Sequence, residues 1–313
     1  MNGIEYSQDP SNFYVRYNAA KRDYADMRTE FNNDATTIKN THDSSYVLFS
    51  TGVDSQIITR CFIDCDVNAE YIFLNSVGYS NPELQRINEC EKFYGIKIRV
   101  IDIDINSFKD QWIDRNRNEF PISMYHYPFE YLSSILEKDY PIITQGANDP
   151  ALIGSNYKNM SVYCNYYEGM QQRFRLMSKY RPVLDFPFSP EAISSYYTDA
   201  NVKSFVNTIQ YYIETDLEKH KKPLAKSQYW NTFGKPMTKA RHFKDDVIWY
   251  GKLNGYEDYP SWVGYPKYLI KETRVTVPYW DLVDFLENNR DTHKDYNEWI
   301  YNPDTPGFIT LDM

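Results

Sequence analysis

Short apolar runs alternate with amphipathic stretches through the first half of the chain. Tyr46-Val47-Leu48-Phe49 is one such run; a polar turn follows it, and from Gln56 to Ile63 apolar residues recur at helical spacing. A second run, Tyr71 to Asn75, leads to a helix expected from Pro82 to Tyr94, and a third covers Ile98 to Ile103. Pro82 suits a first helical turn, where a missing N–H costs nothing. Gly95 suits the left-handed residue that ends a helix. Phe108 to Lys138 reads as mainly helical with breaks near Pro121 and Pro128, and Pro141-Ile142-Ile143-Thr144 as another buried strand. Strands alternating with helices in this order predict an α/β fold built on a doubly wound parallel sheet.

The flanks read differently. Ser11 to His42 is polar, and the pattern predicts a helix over Tyr17 to Phe31 without a strongly apolar face. Beyond Gly154 the chain is aromatic and punctuated by proline. Its clearest helix is Ala200 to His220, with Val202, Phe205, Val206, Ile209, Ile213 and Leu217 on one face. The expected organisation is an N-terminal helical extension (1–43), an α/β nucleotide-binding domain (44–155) and a mostly helical substrate region (156–313).

Composition narrows the function classes. Hydrophobic residues make up 42% of the 313, enough to bury a core. The formal net charge of -9 repels phosphate backbones, and no long Lys/Arg run offsets it, so nucleic acid is disfavoured as a partner. No apolar stretch is long enough to span a bilayer, and Met1 to Asp9 lacks a signal-peptide pattern; a cytoplasmic protein is expected. Cys61, Cys65, Cys90 and Cys164 form no C-x-x-C pair, and His42, His126, His220, His242 and His293 show no metal spacing. The cysteines read as small packing residues.

The chemistry concentrates in Ser50-Thr51-Gly52-Val53-Asp54-Ser55, between a buried strand and a helix. Such a turn offers backbone N–H groups to an anion at the positive end of the helix. Gly52 allows close approach, and Ser50, Thr51 and Ser55 bring hydroxyls. Asp54 would repel a phosphate unless a Mg²⁺ ion bridged them. No lysine follows the glycine, which excludes a Walker A loop. An ordinary strand-to-helix turn capped by Ser, Thr or Asp is the structural alternative.

This turn resembles the S-G-G-x-D-S signature of the PP-loop ATP pyrophosphatases, with Thr51 in place of the first glycine. The family includes the synthetase domain of asparagine synthetases, GMP and NAD synthetases, tRNA thiolases and phosphoadenylylsulfate reductases. Ile72 to Tyr79, followed by Pro82-Glu83, is similar to the second-strand segment of the reductase branch. Thr144-Gln145-Gly146-Ala147-Asn148-Asp149, with Leu152-Ile153-Gly154-Ser155, is similar to the G-E-x-x-D-x-L-F-G segment of asparagine-synthetase-like proteins. Its acidic residue there helps bind magnesium pyrophosphate, and either Asn148 or Asp149 could occupy that place; the charged Asp149 is preferred. Arg181-Pro182-Val183-Leu184-Asp185 shows a fainter similarity to the R-x-P-F-L-D segment of asparagine synthetases.

The resemblance implies a PP-loop ATPase that converts ATP to AMP and pyrophosphate. It adenylylates a small-molecule substrate for attack by an amine, ammonia or a sulfur nucleophile. It implies that Ser50, Thr51, Gly52, Val53, Asp54, Ser55 and Gly146 surround the phosphates and that Asp54 and Asp149 share the Mg²⁺. Leu48, Phe49, Leu74 and Asn75 would border the adenosine. Asn2 stands where glutamine-hydrolysing relatives carry a cysteine nucleophile, so nitrogen would come from free ammonia, an amine or a separate ammonia-supplying subunit; a homodimer is also compatible. The missing cysteines argue against a thiolase, a reductase or a zinc-dependent deazaguanine synthase. Arg173, Lys179 and Arg181, with Lys158 and Arg175, are the cationic candidates for a second substrate or a solvated helix face. Two rival readings are a nucleotide-binding protein without turnover and an enzyme that modifies a nucleobase or tRNA.

Overall fold

The computed structural model describes residues 3–6, 15–50, 53–76, 84–108, 111, 126–144, 150–155, 159–164, 175–200, 203, 273–288, 298–301 and 309–310. At its centre is a parallel sheet of β3 (Ser45–Leu48), β4 (Ala69–Ser76), β5 (Ile98–Ile103), β6 (Ile142–Thr144) and β9 (Val183–Asp185). The strand order is β5-β4-β3-β6-β9, and each neighbouring pair is parallel. The order reverses direction at β3, the first of these strands in sequence. Ligands in open α/β sheets bind outside the carboxyl ends of the strands at such a reversal.

Alternation along the strands sorts side chains to two faces. Val47, Phe49, Tyr71, Phe73, Ile98 and Ile143 face one core, which they share with α1 (Met27–Thr41), α2 (Val53–Asp64), α3 (Leu84–Tyr94), α5 (Pro190–Thr198) and α6 (Tyr279–Asn288). Tyr46, Ile72 and Ile142 face a second core, closed by Leu132 of α4 (His126–Ile135) with Leu136 and Met177. Helices therefore cover both faces, and the α/β class expected from the sequence is present.

Several elements differ from expectation. The first helix begins at Met27, and Tyr17 lies instead on β2 (Val15–Asn18), paired with β1 (Ile4–Tyr6) and β11 (Glu298–Tyr301). The helix does have an apolar face: Met27, Phe31, Ala35 and Ile38 are all buried, and α1 packs on α2 and α5. Glu30 and Asp34 interrupt that stripe in sequence because both are buried on it. Pro128 does not break a helix; it sits in the first turn of α4, where no N–H is missed. The parallel sheet does not stop at residue 155, since β9 extends it. Past 155, β8 (Asn159–Cys164), β10 (Thr273–Pro278) and β12 (Ile309–Thr310) form an antiparallel sheet with β7 (Pro150–Ser155). The described residues of 156–313 are thus strands as well as helices. Strands of two to six residues carry too few periods to declare themselves. Most of the helix expected at Ala200–His220 lies outside the described residues.

Candidate functional site

β3 ends at Leu48, and α2 starts five residues later at Val53. The turn between them is braced from within. The Ser55 hydroxyl donates to the Ser50 carbonyl, while the Ser50 N–H donates back to Ser55 Oγ at 3.1 Å. The two hydroxyl oxygens also lie 3.1 Å apart. Ser55 is buried, so its hydroxyl shapes the turn as well as lining it. Tyr94 of α3 donates its hydroxyl to Gln56 Oε1 at 2.7 Å, which ties α3 to the first turn of α2. Burial pushes that tyrosine up to about 12 and keeps it a proton donor. The backbone of Val53 and Asp54 forms the start of α2, whose N–H groups are the ones a helix leaves unpaired. The Asp54 side chain lies outside the described residues, as do Thr51, Gly52, Gly146, Asn148 and Asp149. Among the described residues, no group of three or more His, Cys, Asp or Glu could hold a metal ion.

The residues expected around adenosine separate by face. Phe49 is buried at 3% exposure in the α2 core, edge-on to Tyr71, so its side chain packs in the core. Leu48 and Leu74 are half-buried on the opposite, α4 face. Asn75 lies one residue from the end of β4 and donates its amide to Asp102 Oδ1 at 2.6 Å across to β5.

The cationic cluster also divides. Arg181 is not available to a substrate. Its guanidinium donates to the carbonyls of Ser133 (2.9 Å), Leu136 (2.8 Å) and Lys138, closing the C-terminal end of α4. It also lies 5.6 Å from the Tyr46 ring centre. A cation at the negative end of a helix serves the fold. Lys179, partly exposed, pairs with Glu130 of α4 at 2.9 Å. Arg175 is exposed, and Arg173 and Lys158 lie outside the described residues.

Asp102 and Asp185 were not singled out for the site by sequence. Asp185 ends β9 in register with Thr144 of β6, at the carboxyl edge of the sheet. The signal for Asp102 is placement near the end of an apolar run, where α/β folds keep their ligands; Asp185 shares that placement and also closes the segment similar to R-x-P-F-L-D.

Among the described residues, no helix is long and apolar enough to cross a membrane. No family model matches the sequence, and no curated protein matches it. A search of solved structures finds similarity to a chain described as a predicted subunit of tRNA methyltransferase from Methanocaldococcus jannaschii. It is 18% identical over 48% of this chain and 71% of that one, with a TM-score of 0.29. An overlap of that size does not define a fold, and the architecture rests on the strand order itself.

Proposed function

We propose that the chain is a PP-loop-type ATP-binding enzyme with a doubly wound sheet, and that it holds ATP at the carboxyl edge beside β3. The observation that supports this most is the position of Ser50 to Ser55. The turn joins the strand at which the sheet order reverses to the N-terminus of a helix, and Ser55 fixes its shape. Backbone N–H groups at the start of α2 take the phosphates. Hydroxyls of the turn and the Asp54 and Asp149 carboxylates would offer the oxygen donors that Mg²⁺ takes, and the ion would supply neutralisation of the departing pyrophosphate.

In this reading a substrate oxygen attacks the α-phosphorus of ATP, the bond to the bridging oxygen breaks, and pyrophosphate leaves. An amine, ammonia or a sulfur nucleophile then displaces AMP from the adenylylated small molecule. The protein's tasks are to align these groups and to exclude water from the intermediate.

ATP with Mg²⁺ is expected to raise the thermal midpoint, because a ligand that binds the native state stabilises it. Pyrophosphate release is expected with a suitable carboxylate, amide or nucleobase acceptor, and Asp54→Ala should abolish it while leaving the fold intact. A midpoint indifferent to saturating ATP and Mg²⁺ would sink the proposal. Stabilisation without pyrophosphate release across the acceptor panel would leave a nucleotide-binding protein.

A further inference from the structure

Asn75 and Asp102 stand directly opposite each other on parallel neighbours, each one residue before its strand ends. Asn75 follows Phe73 by two residues, and Asp102 follows Ile98 by four, so the pair continues the face that α2 and α3 cover. Phe73 is buried, yet Asp102 is exposed. The hydrogen bond of 2.6 Å uses one lone pair of Asp102 and fixes the carboxylate's direction. A carboxylate has about four such sites, all acceptors.

We propose that Asp102, oriented by Asn75, is the residue that reads the ribose hydroxyls of the nucleotide. The proposal rests on the ATP-binding reading above. An acceptor-only anion repels the triphosphate, so it must meet a part of ATP that donates hydrogen bonds: the two adjacent ribose hydroxyls or the adenine amino group, of which the hydroxyls lie nearer the phosphates. β4 and β5 lie one and two strand spacings from β3, about 5 and 10 Å. A nucleotide with its phosphates at the Ser50 turn extends its sugar over that distance. In dinucleotide-binding sheets an acidic residue at a neighbouring strand end serves the same purpose. Here Asn75 occupies the second strand, and the charge is supplied from the third.

The test is calorimetric titration of ATP, 2′-deoxy-ATP and 3′-deoxy-ATP, each with Mg²⁺, into the full chain and into Asp102→Ala. The wild type should lose about tenfold in affinity when a ribose hydroxyl that Asp102 accepts is missing. Asp102→Ala should bind all three nucleotides alike, near the wild-type affinity for the deoxy form, with an unchanged urea midpoint. A purely structural role would move the midpoint and leave the preference for ATP in place. If the wild type does not discriminate, or if Asp102→Ala keeps the preference, the assignment is overturned while nucleotide binding stands. If the wild type binds none of the three, both readings fall.

Discussion

Arg181 shows how one side chain can be misassigned on charge alone. A guanidinium near a proposed site suggests an anionic substrate, yet this one is buried and spends its donors on three backbone carbonyls. Arg181→Ala would take the guanidinium from all three carbonyls, two of which it meets in buried hydrogen bonds, a loss of about 3 kcal/mol. Urea denaturation should register it, and Arg181→Lys should recover part, since an ammonium cannot reach all three carbonyls. An altered substrate KM at unchanged stability would return Arg181 to the site. Gly95 is the opposite case, legible from sequence by its place after a helix. Its φ is 68°, and a Cβ there would meet no atom within 4 Å. Gly95→Ala should therefore cost about 1 kcal/mol from backbone strain alone. A D-alanine introduced by chemical synthesis should remove that cost, and a cost equal to that of L-alanine would contradict the argument.

At the scale of elements, α1 is held by two buried carboxylates with opposite behaviour. Glu30 receives the Arg22 guanidinium through both oxygens, along with the Ala25 N–H and the Asn33 amide. Burial works to raise it, but these donors together hold it below the usual carboxylate range. Asp34 accepts the N–H groups of Phe188 (2.8 Å) and Ser189 (3.0 Å), joining α1 to the connection between β9 and α5. Here burial outweighs the hydrogen bonds, and with Glu191 nearby it pushes the carboxyl up to about 6. The native state thus holds the Asp34 proton more tightly than the unfolded chain does. The stability it contributes is complete below the ordinary carboxylate range, near pH 4, and is lost as pH rises through about 6. Asp34→Asn removes that titration, so the ratio of variant to wild-type stability should climb between pH 4 and pH 7. Urea midpoints across that range check the sign; a ratio that stays flat would show that Asp34 titrates alike in both states.

For the whole molecule, the sequence by itself determined the local alternation that makes an α/β chain. The spans of β3, β5 and β6 and the ends of α2 and α3 were legible because apolar period, a glycine and turn residues act over a few neighbours. The turn at Ser50 to Ser55 was legible for the same reason, as a polar break between a buried strand and a helix. Tertiary structure decided what depends on distant partners. Glu30 and Asp34 made α1 look polar, and only their partners at Arg22, Phe188 and Ser189 show why they can be buried. Val183-Leu184-Asp185 became a sheet strand because β6 was there to pair with it, since three residues have no propensity strong enough to choose. Phe49 went to the core and Asn75 to Asp102 because pleating sends alternate residues to opposite faces, and the helices then decide which face is closed. Periodicity is a property of neighbours in sequence and could be read directly. Burial of charge, strand order and the pairing of Asn75 with Asp102 are properties of neighbours in space, and they exist once the chain has folded.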